Sequence, residues 1–152
     1  MKLHRRTLLT SATAIAAIGL VPKPFAAAMA GTDPDLAEAL AEILGEREAE
    51  EGGITLDVPR QAENGAQVPI TIHVDSPMTA EDHVTAIHVV ATANPTPGIG
   101  TFLLSPMLGR AEVATRIRLA EAQEILVLAE LSDGRVLQAA AEVSVSLGGC
   151  VT

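Results

Sequence analysis

Apolar positions in this chain repeat with two different periods, and the change comes at Gly53. Between Asp33 and Glu51 the residues Leu36, Leu40, Ile43 and Leu44 recur at helical spacing, one stripe on a 3.6-residue turn. Thr32 or Asp33 is placed to cap that helix, Pro34 suits its first turn, and Gly52-Gly53 should stop it. The pattern therefore predicts an amphipathic helix over residues 33–51, laid on a sheet with its acidic face in water. A docking role for that acidic face is the alternative.

After Gly53 the period becomes two. The candidate strands are Ile54–Val58, Gln67–Asp75, Val84–Ala91, Thr101–Leu104, Glu112–Leu119, Gln123–Leu131 and Val136–Leu147. Turn residues separate them: Asn64-Gly65, Ser76-Pro77, Asn94-Pro95 with Pro97-Gly98, Ser105-Pro106 and Asp133-Gly134. Val68, Ile70, Ile72 and Val74 alternate and so share one face, as a half-buried strand requires. Asp133-Gly134 between two apolar runs is a hairpin signal. About seven short strands without a second helix predict an all-β, immunoglobulin-like antiparallel sandwich. There is no repeat, low-complexity stretch or linker, and only Phe25 and Phe102 are aromatic. The core must be aliphatic, and no aromatic platform exists for stacking bases.

Residues 1–30 do not belong to this pattern. A basic start with Arg5-Arg6 leads into the alanine-rich TLLTSATAIAAIGLV, broken by Pro22-Lys23-Pro24 and followed by Ala28-Met29-Ala30. This reads as an export signal, and the paired arginines point to the twin-arginine route, despite His4 before them and Leu8 after. Its apolar run is shorter than the ~20 residues of a spanning helix, so no membrane anchor is expected. The organisation expected is thus a signal at 1–30, one domain at 31–147, and a short arm at 148–152.

Without the signal the charge becomes extreme. The signal holds Lys2, Arg5, Arg6 and Lys23 and no acid, which leaves six arginines, no lysine and 19 acids, a net charge of −13. Such a surface repels nucleic acid and anionic lipid, which are excluded as partners, and it slows the approach of small anions.

Few residues are arranged for chemistry. Neither a phosphate-binding glycine loop nor a nucleophile elbow is present. His73 alternates with apolar neighbours and should face solvent, while His83 and His88 fall on opposite faces of an extended chain; all three read as isolated surface histidines, and no metal site is expected. The single cysteine, Cys150, stands apart. It follows Gly148-Gly149, which offer no side chain to pack, so the last strand should end near Leu147 and an arm begin. Three residues reach at most ~10 Å, enough to carry a thiol into another protein's pocket. The acidic domain and the nearby carboxyl end both disfavour the thiolate, so this thiol is poorly suited to attack substrates unaided. Two readings remain on these grounds: an attachment point on which enzymes work, or a thiol that forms an intermolecular disulfide. A prenyl box is excluded, because Cys150-Val151-Thr152 is one residue short of it.

AENGAQVPITIHVDSPM, NPTPGIGTFLLSP, GRAEVATRIRLAEAQEILVLAELSDG and the closing VSVSLGGC together resemble the SoxY family, the sulfur-carrying subunit of bacterial sulfur oxidation. The resemblance implies a periplasmic carrier rather than an enzyme, with sulfur intermediates held covalently on Cys150 at the end of Gly148-Gly149 and no other cofactor. It also implies partners: a SoxZ-like β-sandwich subunit, a c-type haem enzyme that couples thiosulfate to the thiol, a sulfate-releasing hydrolase, and in some organisms a sulfane dehydrogenase. One departure stands out. The family arm usually reads GGCGG, whereas Val151 and Thr152 follow the cysteine here and put two β-branched side chains beside the sulfur.

Overall fold

The computed structural model describes residues 33–146. The expected signal at 1–30, the cap alternative Thr32, the strand end at Leu147 and the arm at 148–152 all lie outside that range.

Helix α1 spans Pro34–Leu44 and is capped by Asp33, whose side chain accepts from the Asp35 N–H at 3.0 Å. It is shorter than the pattern predicts. Gly45 takes a positive φ of 59° and its N–H bonds the Ala41 carbonyl, which closes the last turn before Glu46. Residues Ala49–Glu51, expected to be helical, instead form strand β1. The remaining strands are β2 (Ile54–Asp57), β3 (Gln61–Ala62), β4 (Val68–Val74), β5 (Val84–Ala91), β6 (Gly98–Leu103), β7 (Ala111–Ile117), β8 (Gln123–Leu131) and β9 (Val136–Val145). The predicted strands are all present, two of them with the expected boundaries. The two-residue β3 and the three-residue β1 are additions.

Two sheets pack face to face, as in an immunoglobulin-like sandwich. One runs β1-β9-β8-β5-β6 with β3 also on β9, and the other runs β2-β4-β7. Most pairings are antiparallel, but β1 and β3 both pair with β9 in parallel, along the edge that β8 leaves open. The hairpin predicted at Asp133-Gly134 joins β8 to β9, with Gly134 at φ 92°.

The core lies between the sheets. Val68, Ile70, Ile72 and Val74 all point into it from β4, opposite Ile87, Val89, Ile125, Val127 and Ala129. A second, smaller core forms on the outer face of the larger sheet. There Leu36, Leu40 and Leu44 of α1 cover Val90, Leu126, Leu128 and Val136. Strand β8 is therefore buried on both faces, which is why Ile125–Ala129 is an unbroken apolar run rather than an alternating one.

Arg47 fastens α1 to that sheet. Its guanidinium donates to the Leu44 and Ile43 carbonyls at the helix end and to Glu130 Oε2 at 2.9 Å on β8. Glu130 Oε1 in turn accepts from His88 Nε2 at 2.9 Å, and His88 Nδ1 lies 2.9 Å from the Thr101 hydroxyl. An ionised carboxylate only accepts, so Nε2 carries the proton and, in the neutral ring, Nδ1 accepts from Thr101. His88, with its side chain 13% exposed, is thus a linked half-buried residue and not the isolated surface histidine expected from the pattern.

The hydrogen bond from Arg47 holds the Glu130 carboxyl below its ordinary value of 4.5, against the opposing effect of burial and with help from His88. A depressed carboxylate contributes stability that is complete above its unfolded pKa and lost as pH falls through the folded one. The Glu130→Gln variant should therefore unfold at a lower temperature than the wild type at neutral pH. The gap should close as pH is lowered from about 6 to about 3 in thermal unfolding followed by circular dichroism. A gap that stays constant over this range would show that the carboxylate charge contributes nothing.

Candidate functional site

The residues that chemistry requires must be reached from the end of β9, because Ser146 leads directly to Leu147, Gly148, Gly149 and Cys150. Gly148, Gly149 and Cys150, together with Val151 and Thr152, lie outside the described residues, so the site is built here from its root. That root is firmly held. The Ser144 N–H donates to the Arg60 carbonyl at 2.9 Å and the Ser146 N–H to the Ala62 carbonyl at 3.0 Å, which continues the parallel β3–β9 ladder to the last described residue. On the inner side Val143 is fully buried and Val145 packs partly buried against the main core.

The rest of this pole is braced by two side chains whose role the sequence reading missed. Asn94 follows β5 and reaches the strand-exit segment after β7: its Nδ2 donates to the Arg118 carbonyl, and its Oδ1 accepts from the Ala120 N–H. Gln123, 8% exposed at the start of β8, donates to Asn94 Oδ1 and to the Glu121 carbonyl, and its Oε1 accepts from the Ala93 N–H. A buried amide costs free energy unless it is bonded, and this one uses both ends. The signal was present in the pattern. Gln123 shares the inward register with Ile125, Val127 and Ala129, and a polar side chain in that register needs a buried partner.

The charge at this pole differs from the chain average. Among the described residues Arg47, Arg110 and Arg135 form ion pairs, with Glu130, with Glu112, and with Asp133 and Glu50 respectively. Arg60, Arg116 and Arg118 form none, and all three are exposed. Arg60 directly precedes β3, and Arg116 sits opposite Pro69 on the last rungs of the β4–β7 ladder, so the three stand at the end from which β9 leaves. Glu63, Glu121, Glu124 and Glu142 share that end, so the three arginines there offset most of its acid in a domain that is otherwise strongly acidic.

Other surfaces offer less. An open groove of about 460 Å³ lies on the outer face of the larger sheet, lined by Glu51, Gly52, Glu124, Leu126 and Gln138 to Ala140. Its two carboxylates repel anions such as sulfur oxyanions. Among the described residues no group of three or more His, Asp and Glu side chains is placed to hold a metal ion. His73 lies 3.6 Å from Asp75 and 3.9 Å from Glu112, half exposed, and His83 is remote from both it and His88 in the bonding pattern. No helix among the described residues is long and apolar enough to cross a membrane.

Comparison with known proteins bears on both fold and family. A family model described as sulfur oxidation protein SoxY matches residues 40–150, a span that ends on Cys150. No curated protein matches the chain. Among solved structures, the sulfur carrier protein SoxY from Chlorobium limicola f thiosulfatophilum superposes with a TM-score of 0.62 at 30% identity, covering 74% of this chain and 97% of that one. A superoxide reductase (neelaredoxin) from Ignicoccus hospitalis superposes at 0.54 with 16% identity, over 75% of this chain and 94% of that one. A superoxide reductase described as putative, from Thermotoga maritima, gives 0.52 at 18% identity, over 64% and 87%. The last two likenesses extend to the fold alone.

Proposed function

This chain belongs to the SoxY family of sulfur oxidation proteins, and from that premise we propose that it is a periplasmic sulfur carrier that holds thiosulfate-derived intermediates covalently on Cys150. The observation that carries this reading is the family match running to the chain's sole thiol, at residue 150. The firmly held β9 root supports it, because a tethered cargo needs a fixed base. So do the acidic surface and the carboxylate-walled groove, neither of which suits capture of a free dianion.

In this reading the protein is a substrate for its partners and not itself an enzyme. A c-type haem enzyme joins the outer sulfur of thiosulfate to the Cys150 sulfur, with the thiol proton released and two electrons passed one at a time through that enzyme's haem to an electron acceptor. A hydrolase then cleaves the terminal S–S bond with water, freeing sulfate and leaving a persulfide on the cysteine. Where a sulfane dehydrogenase is present, it oxidises that outer sulfur further. Export by the twin-arginine route would let a SoxZ-type subunit without its own signal cross already bound.

Intact-mass spectrometry of protein from thiosulfate-grown cells should show additions of a thiosulfonate group or of extra sulfur, all removed by reductant. A thiol recovered only as an inter-chain disulfide, with no sulfur adduct under any growth condition, would favour the interaction-module alternative and sink the carrier reading.

A further inference from the structure

We propose that strand β6 and the turn after it form the surface on which the SoxZ-type subunit docks, an inference that rests on the carrier reading above. Among the described residues the large hydrophobic side chains left exposed are Leu103, Met107 and Leu108, at 82%, 95% and 60%. All three fall within six residues, at the end of β6 and in the single 3-10 turn Pro106–Leu108 that crosses to the other sheet. Scattered exposed hydrophobics are ordinary; a cluster is the mark of a contact surface.

Two further observations point the same way. Strand β6 is the open edge of the larger sheet, and its outward backbone groups have no strand partner. Free-standing edges are usually blunted by charge or proline, yet GIGTFL contains neither, and its one irregularity is a bulge at Ile99, where Val89 pairs with Gly100 and Val90 with Gly98. The segment itself carries no acid: no aspartate or glutamate occurs from His83 to Ala111, in a chain with 19 of them, and the carboxylate that comes nearest is Glu130, joined to Thr101 through His88.

The occupant is a separate β-rich subunit with an apolar contact face and a net charge near neutral or positive. A second copy of this chain fits less well, since it would set two bodies of net charge −9, or −13 without the expected signal, side by side. Leu103 and Met107 would be the central anchors of an interface burying on the order of 800 Å² per partner, with Leu108 beside them.

The test uses the full chain and the SoxZ-type subunit from the same organism, with affinity measured by titration calorimetry and self-association by sedimentation. Leu103→Arg and Met107→Arg should each fold like the wild type, because the replaced side chains are exposed, and should weaken pairing by about 100-fold or more. Ala41→Arg, on the exposed side of α1, should leave pairing unchanged. If the wild type pairs and the two β6-side variants pair as tightly, the surface is wrong while the carrier reading stands. If the wild type does not pair at all, the carrier-subunit reading fails and this inference falls with it. If the chain alone dimerises, and Leu103→Arg makes it monomeric without affecting the SoxZ-type subunit, the occupant is a second copy and the proposal is overturned.

Discussion

Replacing Cys150 by serine should remove every sulfur adduct from the protein while leaving its unfolding transition in place. The chain contains one cysteine, so no second thiol can take over the cargo. A serine hydroxyl neither forms a bond to sulfur under the same oxidation nor ionises near neutral pH. Among the described residues, the buried clusters that stabilise the domain lie between Leu36 and Val143. Thiosulfate oxidation reconstituted with the haem enzyme and hydrolase should fall to the level measured without carrier, a loss of at least about 100-fold. An adduct that survives the substitution would mean that sulfur is held elsewhere. The same assay addresses Val151 and Thr152. If their bulk hinders entry to partner pockets, Val151→Gly with Thr152→Gly should load faster than the wild type.

Leu40→Ala should cost about 2–4 kcal/mol of stability, the range for deleting a fully buried leucine. Leu40 is 1% exposed and sits between Leu36 and Leu44 over Val90, Leu126 and Leu128. Its removal leaves a hole in the smaller of the two cores, where few neighbours can move to fill it. A domain of this size has roughly 5–15 kcal/mol in total, so chemical denaturation should show a clearly shifted midpoint. Thermal unfolding should fall by about 10 °C or more. Leu103→Ala provides the contrast: the same atoms are removed from an exposed site, and the change should stay within about 0.5 kcal/mol. If Leu40→Ala behaved like Leu103→Ala, α1 would not be packed on the sheet in solution.

The fold was legible wherever burial leaves a periodic trace. Strands β5 and β8 have the boundaries that their apolar runs and flanking turns imply, and β4 alternates as a strand with one buried face should. The helix was overextended because Glu46–Glu51 is as rich in good helix formers as the turns before it. What stops α1 is Gly45, and what holds its end is a bond from Arg47 to Glu130, 83 residues away; only the first of these is local. Strands β1 and β3 were invisible for a related reason. AEE and QA carry no alternation, and they pair because the ten-residue β9 offers unpaired backbone groups along its outer edge.

Site residues divide along the same line. Cys150 stood out by being single and by following two glycines. His88, Asn94 and Gln123 did not, because all their partners but the Glu121 carbonyl lie 13 to 42 residues away in sequence. Leu103 fell in a candidate strand and Met107 and Leu108 in none, and only the fold shows that all three are left exposed.

The double-sided pairing of β9 has a mechanical consequence. In the proposed carrier role, an enzyme that draws the cysteine into its active-site pocket would pull on the chain at Ser146, along the axis of β9. That strand is bonded to β8 on one side and to β3 and β1 on the other. A pull in this direction loads the ladders in shear, so many hydrogen bonds resist together, whereas a peeling force would break them one after another. The sandwich can therefore be tugged repeatedly from one end without unravelling.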